Sequence, residues 1–183
     1  MFNSLFDGAP VDIMQMLDAR ERRAHTQQQL LEQFNPCVFV SITLNIPGSV
    51  KNSVAITNIF ASVISELDEA LQSFEKLQQE DFSLATGMEF YRVLRADALD
   101  VKRACTEFEE GHPLGRLLDI DLVEMAGETP TPISRTALGM PPRRCFICNE
   151  EAKVCARSRK HTVLEMQEHI AHMIAAYTST QRP

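Results

Sequence analysis

The sequence predicts an α+β fold: a single domain, residues 1–183, built on a mainly antiparallel sheet covered by helices. Three observations lead there. Cys37–Ile46 and Leu117–Val123 alternate side chains with the period of two that a strand requires. Asp12–Phe34, Asp97–Glu110 and His161–Tyr177 instead repeat their apolar residues at helical spacing. The two kinds of segment do not alternate as in a doubly wound parallel sheet, so helices layered on an antiparallel sheet are the simplest way to bury both patterns.

Each element has its own signal. Asp12–Phe34 reads as a helix with Ile13, Leu17, Ala24, Leu31 and Phe34 as its apolar stripe, stopped by Asn35-Pro36. The charged cluster Ala19–Arg23 interrupts that stripe, which suggests either a protruding helix end or an arginine reaching a phosphate, with Arg20 favoured. Cys37–Ile46 sends Val38, Val40, Ile42, Leu44 and Ile46 to one face and Phe39, Ser41, Thr43 and Asn45 to the other. Pro47-Gly48 then forces a turn beside Lys51, a weak candidate for cradling phosphate. Ile56–Gln79 reads as one helix with an acidic, glutamine-rich outer face. Glu89–Arg95 reads as a strand entered through an Ala85-Thr86-Gly87 turn. Asp97 is placed to cap the helix that follows it. Gly127–Ser134 and Leu138–Arg144 read as turn-rich connections. The closing helix carries Val163, Met166, Ile170, Met173 and Tyr177 on its packing stripe.

Composition excludes several classes. A hydrophobic share of 44% and a charged share of 23% are ordinary for a globular chain, so disorder and collagen-like repeats are not expected. No apolar run approaches the roughly 20 residues that span a bilayer, and the first residues lack a basic stretch followed by an apolar core. Five cysteines, an odd and unevenly spread set, suit a reducing compartment. The expectation is a cytoplasmic protein with no membrane partner. A net charge of −7 argues against nucleic acid as a partner. The charge is uneven, however: Arg143–His161 holds six basic residues against two acidic ones, a local +4 that leaves −11 elsewhere. Such a patch suits a bound anion or an acidic partner surface, or else is a solvated helix face.

The chemistry is concentrated in Glu109–Met125. Leu118, Ile120 and Leu122 share one strand face, while Asp119 and Asp121 share the other, about 6.5–7 Å apart. Two like charges at that separation repel, so the pair persists most readily when basic side chains, protons or a divalent cation neutralise it. Mg²⁺ fits, since it takes hard oxygen ligands, commonly one or two carboxylates plus substrate phosphates. The alternative is an edge strand on which Asp119 and Asp121 are merely solvated. An apolar-Asp-apolar-Asp-apolar pattern is how many nucleotidyltransferases present metal-binding carboxylates to a triphosphate, so the expected site is nucleotidyltransferase-like. Those enzymes carry Gly-Ser shortly before the acidic pair, whereas Gly48-Ser49 lies far upstream here, so membership of that superfamily does not follow from the pattern.

A second cluster lies further on. Cys145-x-x-Cys148 has the spacing of a zinc knuckle, and Cys155 with His161 would complete a four-ligand set for structural Zn²⁺. Buried free thiols are the competing reading, with redox chemistry behind both. His169 and His172, three apart on the last helix, could also meet one ligand, although a solvated or half-buried face explains them as well.

Taken in order, Leu-Asp-Ala-Arg-Glu-Arg-Arg from Leu17, Thr43-Leu44-Asn45-Ile46-Pro47-Gly48, the Glu109–Leu122 stretch, Ile133–Cys145 and Cys155–His161 resemble the bacterial apo-citrate lyase phosphoribosyl-dephospho-CoA transferases over nearly the whole chain. Ser49 departs from that pattern, which has proline there. The resemblance implies transfer of a phosphoribosyl-dephospho-CoA unit from triphosphoribosyl-dephospho-CoA to a serine of the citrate lyase acyl carrier subunit, with release of pyrophosphate. It gives the bottom-up reading a substrate. Asp119 and Asp121 would hold Mg²⁺, and one of them, or His112, would accept the serine proton. Arg116, Arg20 and Arg23, in that order, are candidates for the triphosphate. Arg143, Arg144, Arg157 and Arg159 are candidates for the dephospho-CoA portion or for docking the carrier. Competing expectations are the same chemistry on another carrier, such as that of malonate decarboxylase, and a non-catalytic zinc-binding interaction module.

Overall fold

In the computed structural model, which describes residues 5–148 and 150–181, β1 (Val38–Leu44) is the central strand of a five-stranded sheet. It lies between β3 (Gly87–Arg95) and β4 (Leu118–Ala126), with β2 (Glu75–Leu84) and β5 (Thr129–Ile133) at the edges, and every pairing is antiparallel. The described residues form one domain with five α-helices, and the α+β expectation holds at that level.

The alternation read in β1 and β4 sorts the two sheet faces. Val38, Val40 and Ile42, Phe90 and Leu94, and Leu118, Ile120 and Leu122 enter the main core beneath α2 (Val54–Ala70), α3 (Ala98–Gly111) and α5 (Val163–Thr180). The helices start where local chemistry starts them. Ser53 and Asp97 accept backbone N–H bonds at the starts of α2 and α3, and Thr162 with Glu165 forms a reciprocal capping box on α5.

The opposite face has its own layer. The first helix, α1 (Ile13–Phe34), packs Leu30 and Leu31 on Phe39, Tyr91, Val93 and Val123. The expected stripe on this helix is corrected: Ile13 and Leu17 are exposed, and the buried residues are Ala19, Leu30 and Leu31. The charged cluster interrupts the apolar repeat because the sheet face it meets is itself polar at that level. Helices therefore cover both faces of the sheet, the second one in part.

Two other expectations fall to tertiary pairing. The helix read over Ile56–Gln79 ends at Ala70, and Glu75–Leu84 is an edge strand paired with β3. β2 carries helix-favouring Glu, Lys and Gln, and local propensity is readily overridden by a partner strand. The fully buried Arg92 of β3 bonds Asp81 of β2 at 2.5 Å and Asp68 of α2 at 2.7 Å, anchoring this polar strand to the core. The Gly127–Ser134 connection contains β5, paired with β4 from Leu122 to Ala126 across a turn with Gly127 at φ +67°. Its Pro130 and Pro132 are tolerated because the strand is an edge.

Candidate active site

The polar end of the second sheet face is a floor of side chains in register. Asp119 of β4 lies beside Thr43 of β1, which lies beside Glu89 of β3; one row further along are Asp121, Ser41 and Tyr91. The next row, Val123, Phe39 and Val93, is the apolar one that α1 covers. Eight helical residues carry α1 from Leu31 back to Arg23, about 12 Å. Four strand residues carry β3 from Val93 to Glu89, about 13 Å. The helix therefore delivers Arg22 and Arg23 to the polar rows, where they bond the Glu89 carboxylate at 2.8 and 3.0 Å. Tyr91 donates its hydroxyl to the other Glu89 oxygen at 2.6 Å. Glu89, only 2% exposed, is thus an anchor for the arginines, and both of its carboxylate oxygens accept hydrogen bonds.

Asp119 and Asp121 point to the same face and both are exposed. The strand tolerates them because its outer edge is dressed with charged groups. β5 pairs only from Leu122 onward, so the backbone of Leu118 and Ile120 has no strand neighbour on that side. Arg143 donates to the Leu118 carbonyl, Lys102 donates to the Ile120 carbonyl at 3.1 Å, and Glu109 accepts from the Ile120 backbone. Buried backbone polar groups need such partners. Arg143 also reaches Asp119 at 3.3 Å and the Arg116 carbonyl at 2.9 Å.

The crowding around Asp121, and after it the Asp119 charge, push the Asp121 carboxyl above its ordinary value, against the pull of Lys102, Arg143 and Arg23. The residue keeps accessible surface, so its hydration is reduced without being lost. Burial likewise raises Glu109, opposed first by Arg143. Arg116 is pushed down by burial and then by the positive charges of Arg143 and Arg135, and its guanidinium has no hydrogen bond or ion pair among the described residues. Gly115 is what lets Arg116 sit here: a Cβ at that position would lie 2.5 Å from the Phe108 carbonyl oxygen of α3.

The other expected residues divide. Arg20 is exposed one helical turn before Arg23. Arg144, Arg157 and Arg159 are exposed on the segment that follows Arg143, with Arg144 bridged to Glu151. His112 turns toward the helical layer: its ring stacks on Phe108, meets Tyr177 edge-on, lies 3.1 Å from Glu66 and accepts from Leu114 N–H. With both ring nitrogens engaged and its pKa lowered by burial, it is not brought to the aspartates. Lys51 spends its ammonium on the Ile46 carbonyl at 2.7 Å, so the Pro47-Gly48 turn offers no free cation. Two cations escaped the sequence reading. Lys102 is buried in a helix whose pattern gives no hint of it. Arg135 bonds Glu110 and retains a buried Nε without a partner, and its place in the Ile133–Cys145 motif was the available signal.

No third carboxylate closes on Asp119 and Asp121; among the described residues the one group of three or more ligand side chains that converges is Cys145, Cys148, Cys155 and His161. Two clefts among the described residues lie elsewhere, one along Asn35–Val38 and Glu124–Met125, the other between α2 and the β2–β3 hairpin. The aspartates occupy open sheet surface instead.

The fold and site together define an α+β protein that presents paired carboxylates among arginines on an accessible sheet face. Comparison with known proteins makes this specific. The family model described as apo-citrate lyase phosphoribosyl-dephospho-CoA transferase matches residues 11–177. A protein of Streptococcus pyogenes serotype M18 named probable apo-citrate lyase phosphoribosyl-dephospho-CoA transferase is 39% identical, over 96% of this chain and 91% of its own. Its namesake in Shigella boydii serotype 18 is 35% identical over 85% and 84%. Protein CitXG of Leuconostoc mesenteroides subsp. cremoris is 33% identical over 91% of this chain, which covers 36% of that longer protein. The chain belongs to the apo-citrate lyase phosphoribosyl-dephospho-CoA transferase family and is a transferase. No described helix is long and apolar enough to cross a membrane.

Proposed function

We propose that this enzyme transfers phosphoribosyl-dephospho-CoA from triphosphoribosyl-dephospho-CoA to a serine hydroxyl of the citrate lyase acyl carrier subunit. The serine oxygen attacks the phosphorus nearest the ribose and forms a phosphodiester. The bond from that phosphorus to the pyrophosphate oxygen breaks, pyrophosphate leaves, and the hydroxyl proton passes to a base on the protein. The single observation that carries the reading, within a chain of this family, is the exposed Asp119–Asp121 pair flanked by Arg143, Arg116 and Arg23.

The donor set suits Mg²⁺: two accessible carboxylates on one face, with no further ligand converging among the described residues, leave positions for phosphate oxygens and water. Bound there, Mg²⁺ would neutralise charge on the triphosphate and on the departing pyrophosphate. The chain's own groups do the rest. Asp121, whose carboxylate is not taken up by Arg143 as that of Asp119 is, is the better-placed acceptor for the serine proton. Arg116, with an uncommitted guanidinium, and Arg23 and Arg20 on α1 bind the triphosphate tail. Arg143 holds Asp119 in place and, with exposed Arg144, Arg157 and Arg159, offers a positive surface to the dephospho-CoA portion or the carrier.

The test is mass spectrometry of apo-carrier after incubation with the enzyme, triphosphoribosyl-dephospho-CoA and Mg²⁺, with the malonate decarboxylase apo-carrier alongside. A gain equal to one phosphoribosyl-dephospho-CoA unit on the citrate lyase carrier is expected. No gain, or a gain on the other carrier alone, refutes the assignment.

A further inference from the structure

We propose that Cys145, Cys148, Cys155 and His161 hold one structural Zn²⁺, and that this ion fixes the loop whose Arg143 reaches Asp119. The four ligand atoms all lie within 4.8 Å of one another. The Cys155 and Cys145 sulfurs are 3.6 Å apart, the Cys148 and Cys155 sulfurs 3.9 Å, and His161 Nε2 is 3.3 Å from the Cys148 sulfur. A tetrahedral zinc with Zn–S near 2.3 Å and Zn–N near 2.0 Å spaces its ligands by about 3.8 Å for sulfur–sulfur and about 3.5 Å for sulfur–nitrogen. These three edges match those of such a tetrahedron, and the other three are within 4.8 Å. They are far too long for a disulfide, whose sulfurs sit about 2.05 Å apart, and all the cysteines are free.

The residue types point the same way. Three soft thiolates and an imidazole select zinc over Mg²⁺ or Ca²⁺, and four protein ligands leave no open position, which marks a structural site. Cys155 is buried and the other three ligands are half-buried, so the ion would be shielded by its own ligands. The Ile147 amide donates to the Cys145 sulfur at 3.4 Å, an outer contact that steadies a metal-bound thiolate.

The segment needs such a crosslink. Between Gly139 and His161 the regular structure is α4 (Ala152–Ser158), seven residues, too short to be stable alone. Cys155 is its only fully buried residue among those described. The backbone couples the cluster to the active site: Ala152 donates to the Arg143 carbonyl at 2.8 Å, Cys145 donates to Glu150 at 2.8 Å, and Arg144 bridges Glu151. Arg143 stands two residues before the first ligand, so holding the knuckle holds its guanidinium over Asp119.

The zinc part is tested on the whole chain, purified reduced and without chelator from zinc-replete cells. One zinc per chain is expected, along with the tetrahedral thiolate spectrum when cobalt replaces it. C148S and H161A should fall to background zinc, and H161C should keep a full equivalent. Background zinc in folded, reduced wild-type protein overturns the proposal, as does a full equivalent in both C148S and H161A; the wild-type measurement stands even if a variant misfolds. The clamp is read by trypsin: removing the metal should expose Arg143, Arg144, Arg157 and Arg159 to cleavage ahead of the core, and unchanged cleavage overturns that part. The consequence for catalysis rests on the transfer reaction proposed above, but metal content and proteolysis are read without it, so the two readings fail separately.

Discussion

Replacing Glu89 by glutamine tests how α1 is held over the aspartates. Its carboxylate is 2% exposed and takes Arg22, Arg23 and Tyr91 at 2.8, 3.0 and 2.6 Å. Glutamine keeps the shape and removes the charge. Its amide oxygen can still accept from the arginines, and its NH₂ can donate to Tyr91, which then accepts. A bond to a charged group contributes about 1.5–3 kcal/mol; the arginine keeps its charge in the variant, so each contact loses only its ion-pair component, about 1 kcal/mol. Arg22 is 46% exposed and screened by water, which holds the total near the lower end, about 2 kcal/mol. For a chain of this size each kcal/mol moves Tm by about 2–4 °C, so E89Q should melt about 4–8 °C below wild type. Its urea midpoint should fall at unchanged slope. A shift below about 1 °C refutes the anchoring role. If transfer were lost while Tm stayed at the wild-type value, Glu89 would be acting on substrate or metal instead.

Asp121→Asn should cut transfer by about 10³-fold, the worth of several kcal/mol of transition-state charge stabilisation in a single-turnover assay. The same variant should be no less stable than wild type at pH 7. Asp121 has a raised pKa in the fold, so its stabilising contribution is present below the unfolded-chain value and is lost as pH rises through the folded one; at pH 7 its charge costs stability that asparagine does not. A Tm clearly below wild type at pH 7, or transfer within about tenfold of wild type, contradicts this. Arg143→Lys should lower the transfer rate about 30-fold, because an ammonium cannot span Asp119 and the Leu118 and Arg116 carbonyls together; this equals about 2 kcal/mol of lost charge-assisted bonding. Equal rates would remove Arg143 from the site.

The features legible in the residue order alone are the local and periodic ones. Alternation put Asp119 and Asp121 on one face of β4, because the strand repeat allows no other placement. Helical spacing and capping residues located α1, α3 and α5, and knuckle spacing drew attention to Cys145 and Cys148. Features that depend on partners distant in the chain were set by packing. Glu75–Leu84 became a strand because β3 was there to pair with it. α1 turned Ala19 inward and Ile13 outward because the sheet rows beneath it are apolar at one end and polar at the other. Lys102 and Glu109 reached the edge of β4 because β5 stops at Leu122, and His112 went to Glu66 because the helical layer holds it. Backbone periodicity is encoded within a few residues, whereas the partner of a charged side chain is set by packing across the whole chain.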